Sequence, residues 1–204
     1  MRKHRVATLA LLACLAAGPA GAAFVDFAAS DLGGNAVVEN ATPSGALALD
    51  PTFTTNAPVA LRIVLEAGDA GAPIALNALV GNATGELWPA FVIALDGAAF
   101  AHVGSVRANA GAVGALAAGA SSARIDFDPA EPAGVDLGAP FGAGEDWLLD
   151  PGALGAGESF TLRFAPIPEP GALALLGLGL AGLASASAQK AARARTIATS
   201  GSCS

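Results

Sequence analysis

The chain has 204 residues, 53% of them hydrophobic, with a mean hydropathy of +0.57 and a net charge of −7. Most of its bases sit at the two ends: residues 23–168 hold four arginines and no lysine against sixteen acids, a net charge of −12. So acidic a region is repelled by nucleic acid and by anionic lipid, and with the only cysteines at positions 14 and 203 it has no disulfide or thiol chemistry.

The first element in chain order is a targeting segment. Arg2, Lys3 and Arg5 precede an apolar run from Val6 to Ala17. Gly18 and Pro19 then break the run, and Ala20 and Ala22 supply the small side chains of an A-x-A cleavage site. This is the pattern of a secretory signal peptide over 1–22, cut after Ala22 or Ala23. Leu11 to Cys14 also resembles a lipobox, but the apolar residues after Cys14 do not suit a polar tether.

Residues 23–166 read as one secreted all-β domain. In Pro58–Glu66, Val59, Leu61, Ile63 and Leu65 share one face, while Arg62 and Glu66 take the other. Such period-two alternation marks a half-buried strand. Asn82, Thr84 and Gly85 form a turn signal before Leu87–Leu95, which is apolar on both faces apart from Pro89 and so reads as a central strand. Ala108–Ala120 is open between a short helix and a flexible loop, because Gly111, Gly114 and Gly119 weaken a helix. Ala123–Asp128 buries Ile125 and Phe127 and exposes Arg124, Asp126 and Asp128. Ser159–Phe164 turns Phe160, Leu162 and Phe164 inward. Short strands separated by Gly, Pro, Asn and Asp clusters predict an antiparallel, jelly-roll-like β-sandwich.

No residue set in this domain carries recognisable catalysis. His102 is its single histidine, with no nucleophile-elbow motif to serve, and one histidine without cysteine does not make a zinc site. Asp126, Asp128 and Asp136, with Glu131 among them, lie in a turn-rich stretch and are the candidates for calcium, which needs six to eight oxygens. Solvated loop acids are the plainer reading. Trp88, and Trp147 after Glu145 and Asp146, are candidates for stacking on a sugar or for anchoring a strand. Asn40 and Asn82 match glycosylation sequons, and Asn82 reads as a turn residue.

Residues 167–195 form a second targeting segment. Pro168, Glu169 and Pro170 precede 171–188, which carries no charge. As a helix that stretch spans about 27 Å, enough for a bilayer core. Lys190, Arg193 and Arg195 in 189–195 would stay cytoplasmic, with the domain outside. Residues 196–204 read as a disordered tail. Gly177, Gly179 and Gly182 spell GxGxxG, but no strand or βαβ unit surrounds them, so a nucleotide loop is excluded.

Pro168-Glu169-Pro170, the apolar stretch and the basic cluster, taken together, resemble the PEP-CTERM sorting signal of Gram-negative bacteria. The turn at Asn82–Gly85 before Trp88 and Phe91, and the strand 157–164, are similar to features of that family. The resemblance implies processing by an exosortase near Pro168–Pro170 and delivery to the cell surface or medium. It also implies a link to exopolysaccharide and biofilm, and a structural or adhesive role without enzymatic activity or cofactor. A carbohydrate- or calcium-binding surface module is the alternative, and a small secreted hydrolase the third reading.

Overall fold

The computed structural model describes residues 22–169, and among them the regular structure is strand throughout apart from one 3-10 turn at Phe27–Ala29. In chain order the strands are β1 (Phe24–Val25), β2 (Ala36–Asn40), β3 (Ala46–Phe53), β4 (Val59–Val64), β5 (Ile74–Asn82), β6 (Trp88–Asp96) and β7 (Ala99–His102). They continue with β8 (Val106–Ala108), β9 (Val113–Ala118), β10 (Ser122–Glu131), β11 (Gly134–Leu137), β12 (Trp147–Asp150) and β13 (Ser159–Ile167). Residues 1–21 of the expected signal peptide, Ala20 among them, the residues from Pro170 onward including 171–188, the cluster Lys190, Arg193 and Arg195, and the tail lie outside the described residues. No helix among the described residues is long and apolar enough to cross a membrane.

The strands form two sheets. The first runs β1-β4-β13-β6-β10-β9, and the second runs β2-β3-β5-β11-β8, with β12 beside β5 and β7 beside β12. Alternation explains the partition of side chains. β4 buries Val59, Leu61 and Ile63, β5 buries Ile74, Leu76, Ala78 and Val80, and β13 buries Phe160, Leu162 and Phe164. One core cluster takes residues from both sheets, so the sheets pack face to face. Its aromatic centre bridges them. Phe53 of the second sheet meets Trp88 edge-on at 5.5 Å and Phe91 at 5.9 Å in the first. Trp88 stacks on Phe91 at 5.6 Å, and Phe91 on Phe164 at 6.2 Å. Such pairs add about 0.5–1.5 kcal/mol each beyond their burial.

Three expectations need correction. The sheets are not wholly antiparallel: β3 and β5 pair in parallel, a departure from a jelly roll. Parallel neighbours need a crossover, and here the crossover is β4, which lies in the opposite sheet. Ala108–Ala120 is not a helix, and only its first and last parts are loop: 109–112 connect β8 to β9, and 113–118 are strand. Val113–Ala118, with Gly114 and three alanines, form β9, held to β10 from Ala118↔Ala123 to Val113↔Phe127. The domain also extends one residue past the expected boundary, since β13 continues through Ile167, which pairs with Ala90. The central place of β6, between β13 and β10, agrees with its apolar faces. Pro89 is tolerated there because the β6–β10 register shifts between Asp126 and Glu131, where no ladder partner needs its missing N–H.

Candidate functional site

The sorting tripeptide begins where β13 ends. Pro168 is half-buried and Glu169 exposed, and the Glu169 N–H donates to the Leu87 carbonyl at 3.2 Å. Leu87 closes the β5–β6 turn, which is built from side chains that fold back on the backbone. Asn82 Oδ1 accepts from Thr84 N–H at 3.0 Å and Thr84 Oγ1 at 2.7 Å, and Asn82 Nδ2 donates to the Glu86 carbonyl at 2.8 Å. Gly85 follows at φ +77°, which favours glycine. Asn82 is thus a turn residue, as its sequence context indicates. Asn56, in the β3–β4 loop, ties this turn to the core: its Nδ2 donates to Glu86 Oε2 at 2.7 Å, and its Oδ1 accepts from Trp88 Nε1 at 3.2 Å.

Beside Trp88 lies a carboxylate that sequence reasoning placed among solvated loop acids. Glu131 has no exposed surface and sits in a ring of backbone donors. Its Oε1 accepts from Ala133 at 2.8 Å and Gly134 at 3.1 Å, and its Oε2 from Gly111 at 2.7 Å and Ala110 at 3.1 Å. Burial alone would raise its pKa, but the four N–H groups outweigh that and hold it below the ordinary 4.5. The role is structural. Glu131 clamps the β8–β9 loop to the β10–β11 turn, 20 residues away in sequence. A separation of that size leaves no local signal from which to find it.

The segments at this end of the sandwich (54–58, 82–88, 109–112, 128–134 and 166–169) contain no lysine, arginine or histidine. Their exposed charges, Glu86, Asp128 and Glu169, are all negative. The N-terminus leaves from the opposite end, because Phe24 pairs with Val64, and Val64 with Ser159 at the start of β13. Of the cleavage-site residues, Ala22 is half-buried, while Ala23 is 2% exposed and belongs to the core.

The other sequence candidates do not converge. Asp126 and Asp128 lie on β10, while Asp136 lies on β11 in the other sheet. Asp126 is held by Arg124 at 2.7 Å, and Asp136, nearly buried, is held by both Arg107 Nε at 3.1 Å and Arg107 NH2. Asp126 and Asp136 are each already engaged by a guanidinium and Asp128 is exposed on β10 away from Asp136, so the calcium set of Asp126, Asp128 and Asp136 is not assembled. Among the described residues no group of three or more His, Cys, Asp or Glu is placed to hold a metal ion. Trp88 and Trp147 present no face to a sugar: both are fully buried, and Trp147 Nε1 donates to the Ser105 carbonyl at 3.0 Å. Among the described aromatics Phe141 is the most exposed, 71% accessible against 41% for Phe24 and 42% for Phe27, with the Arg107 guanidinium 5.8 Å from its ring centre. His102 contacts Glu145 Oε2 at 3.2 Å on the surface, and the nearby Ser105 Oγ accepts from the Glu145 N–H, not from the imidazole.

A family model of the PEP-CTERM protein-sorting motif matches residues 166–188. The chain carries a PEP-CTERM sorting motif. The motif begins at Pro166, inside β13, so the sorting signal and the folded domain share the last two residues of that strand. It implies an exported protein handled by an exosortase, at the cell surface or outside the cell. Comparison with curated proteins and with solved structures found no match.

Proposed function

We propose that the chain is a structural or adhesive component of the cell surface or exopolysaccharide matrix, delivered by its two terminal targeting segments. In this reading a signal peptide is cut after Ala22 or Ala23, and 171–188 then holds the chain in the inner membrane with Lys190, Arg193 and Arg195 on the cytoplasmic side. An exosortase acts near Pro168-Glu169-Pro170 and frees the acidic domain, which works by binding and not by catalysis. The observation that carries this is the PEP-CTERM match at 166–188, joined without a linker to an all-β domain. Intact mass of the chain from cell surface and medium tests it. A species beginning at Ala23 or Phe24 and ending near Pro170 is expected, and recovery only of chains that retain 171–204 would overturn it.

Phe141 favours a second reading, a carbohydrate-binding surface. An exposed ring beside a guanidinium and a carboxylate, Arg107 and Asp136, can stack on a sugar and hydrogen-bond its hydroxyls. Retention on the producing cell's polysaccharide that is lost in Phe141→Ala would support it; equal retention of both would not.

A further inference from the structure

An open sheet edge pairs with other chains unless something prevents it, and the five edge strands of the two sheets, β1, β9, β2, β8 and the branch strand β7, are not equally defended. β7 is four residues long, and its Phe100 N–H is taken by the Ala120 carbonyl at 2.7 Å. β1 is two residues long, and its Val25 N–H is taken by Glu39 Oε1 at 3.0 Å. β2 carries Glu39 itself, and β8 is three residues long with Arg107 at its centre. β9 has none of these devices, and its one irregularity is a register shift against β10 at Gly114, between Asp126↔Ala115 and Phe127↔Val113. It is six residues, Val113–Ala118, without charge or proline, and every residue is exposed. Among the described residues it pairs only with β10, so its outer row of N–H and C=O groups has no strand partner.

The side chains along this edge are also unusual in their direction. Leu116 stands opposite Ile125 and Val113 opposite Phe127, so both point to the core side of the sheet. Ile125 and Phe127 are buried, yet Leu116 is 40% and Val113 36% accessible. The first sheet therefore overhangs the second at β9 and leaves core-facing apolar groups uncovered.

We propose that β9 pairs antiparallel with β9 of a second copy of this chain, making one continuous sheet across the dimer. Charge favours this occupant at this place. Two copies, each at −12 over residues 23–168, repel one another, and close approach needs a surface without acids. Residues 108–123 contain no ionisable side chain, and next to them Arg124 and Asp126 neutralise each other. Asp128, exposed on β10, is the nearest remaining acid and lies one strand back. Symmetry agrees. A two-fold axis perpendicular to the sheet reverses the strand but keeps its faces, so Leu116 and Val113 of both copies meet on the same side and cover one another. Because the contact uses the same strand twice, it closes at two copies.

The test is the molar mass of the purified full-length chain in detergent, by sedimentation at tens of micromolar and at two salt concentrations. A dimer that tightens with salt is expected, because salt screens the residual repulsion. Leu116→Lys and Ala117→Lys place like charges across the seam and should each raise the dimer Kd by at least about tenfold. Far-UV circular dichroism should show both variants folded, and Val38→Lys on β2 should leave the dimer intact. A monomeric parent chain overturns the proposal. So does a dimer that survives both β9 lysines, which would place the contact in the terminal segments or on another face. None of these outcomes depends on exosortase processing.

Discussion

Replacing Glu131 by glutamine keeps the shape of the side chain and changes its chemistry. The amide retains one acceptor oxygen and turns an NH2 donor toward N–H groups that need an acceptor. If the oxygen stays with Ala133 and Gly134, the Gly111 N–H at 2.7 Å loses its partner and the Ala110 N–H keeps only its contact at 3.2 Å. Hydrogen bonds to a charged acceptor are worth about 1.5–3 kcal/mol each, so two compromised donors cost about 3 kcal/mol. For a domain of this size that lowers Tm by about 10 °C. The effect carries a pH signature. Because the folded carboxyl titrates below its ordinary 4.5, its contribution is complete above that value and disappears as pH falls through the lower folded pKa. Urea unfolding followed by the buried tryptophans Trp88 and Trp147, in steps from neutral pH to about 3, should show the parent–variant gap closing with acid. A Glu131→Gln chain within about 0.5 kcal/mol of the parent at neutral pH, or a gap that does not change with pH, would refute the clamp.

Other perturbations have equally definite outcomes. Gly134 sits at φ +130°, where a Cβ would overlap the Val80 carbonyl oxygen, so Gly134→Ala should cost about 2–4 kcal/mol in chemical denaturation; a neutral substitution would mean that the β11–β5 contact is looser than described. Phe53→Ala removes the ring that links the sheets and should cost about 3–5 kcal/mol, with a loss below about 1 kcal/mol contradicting its place at the centre of the core. Calcium or EDTA should leave Tm unchanged, since Asp126 and Asp136 are engaged by arginines; a rise with calcium would require a site that the described residues do not assemble.

The strands that could be read from the sequence are those with large side chains in strict alternation. β4, β10 and β13 announce themselves through Leu61, Ile63, Ile125, Phe127, Phe160 and Leu162, because bulky residues at period two have only one face to bury. β9 had no such signal. Alanine and glycine carry little hydrophobic contrast, and its strand form comes from pairing with β10. The parallel β3–β5 pair was hidden because it depends on where β4 goes, and alternation does not say which sheet a strand joins. The sorting motif was legible as residue order, since a targeting tag is read as a linear pattern. The tryptophans misled, since Trp88 and Trp147 are large enough to serve core or ligand, and only Asn56 and the Ser105 carbonyl, remote in sequence, decide for the core.

The placement of β13 has a mechanical consequence. It lies between β4 and β6 and is hydrogen-bonded on both sides, and the chain leaves it at Ile167, along the strand. The N-terminal strand β1 enters at the far end of the same sheet. Tension between the two termini would therefore slide β13 lengthwise past its neighbours, loading both ladders in shear together instead of peeling them one bond at a time. A domain pulled by its C-terminal tag would resist as a unit until that strand gave way.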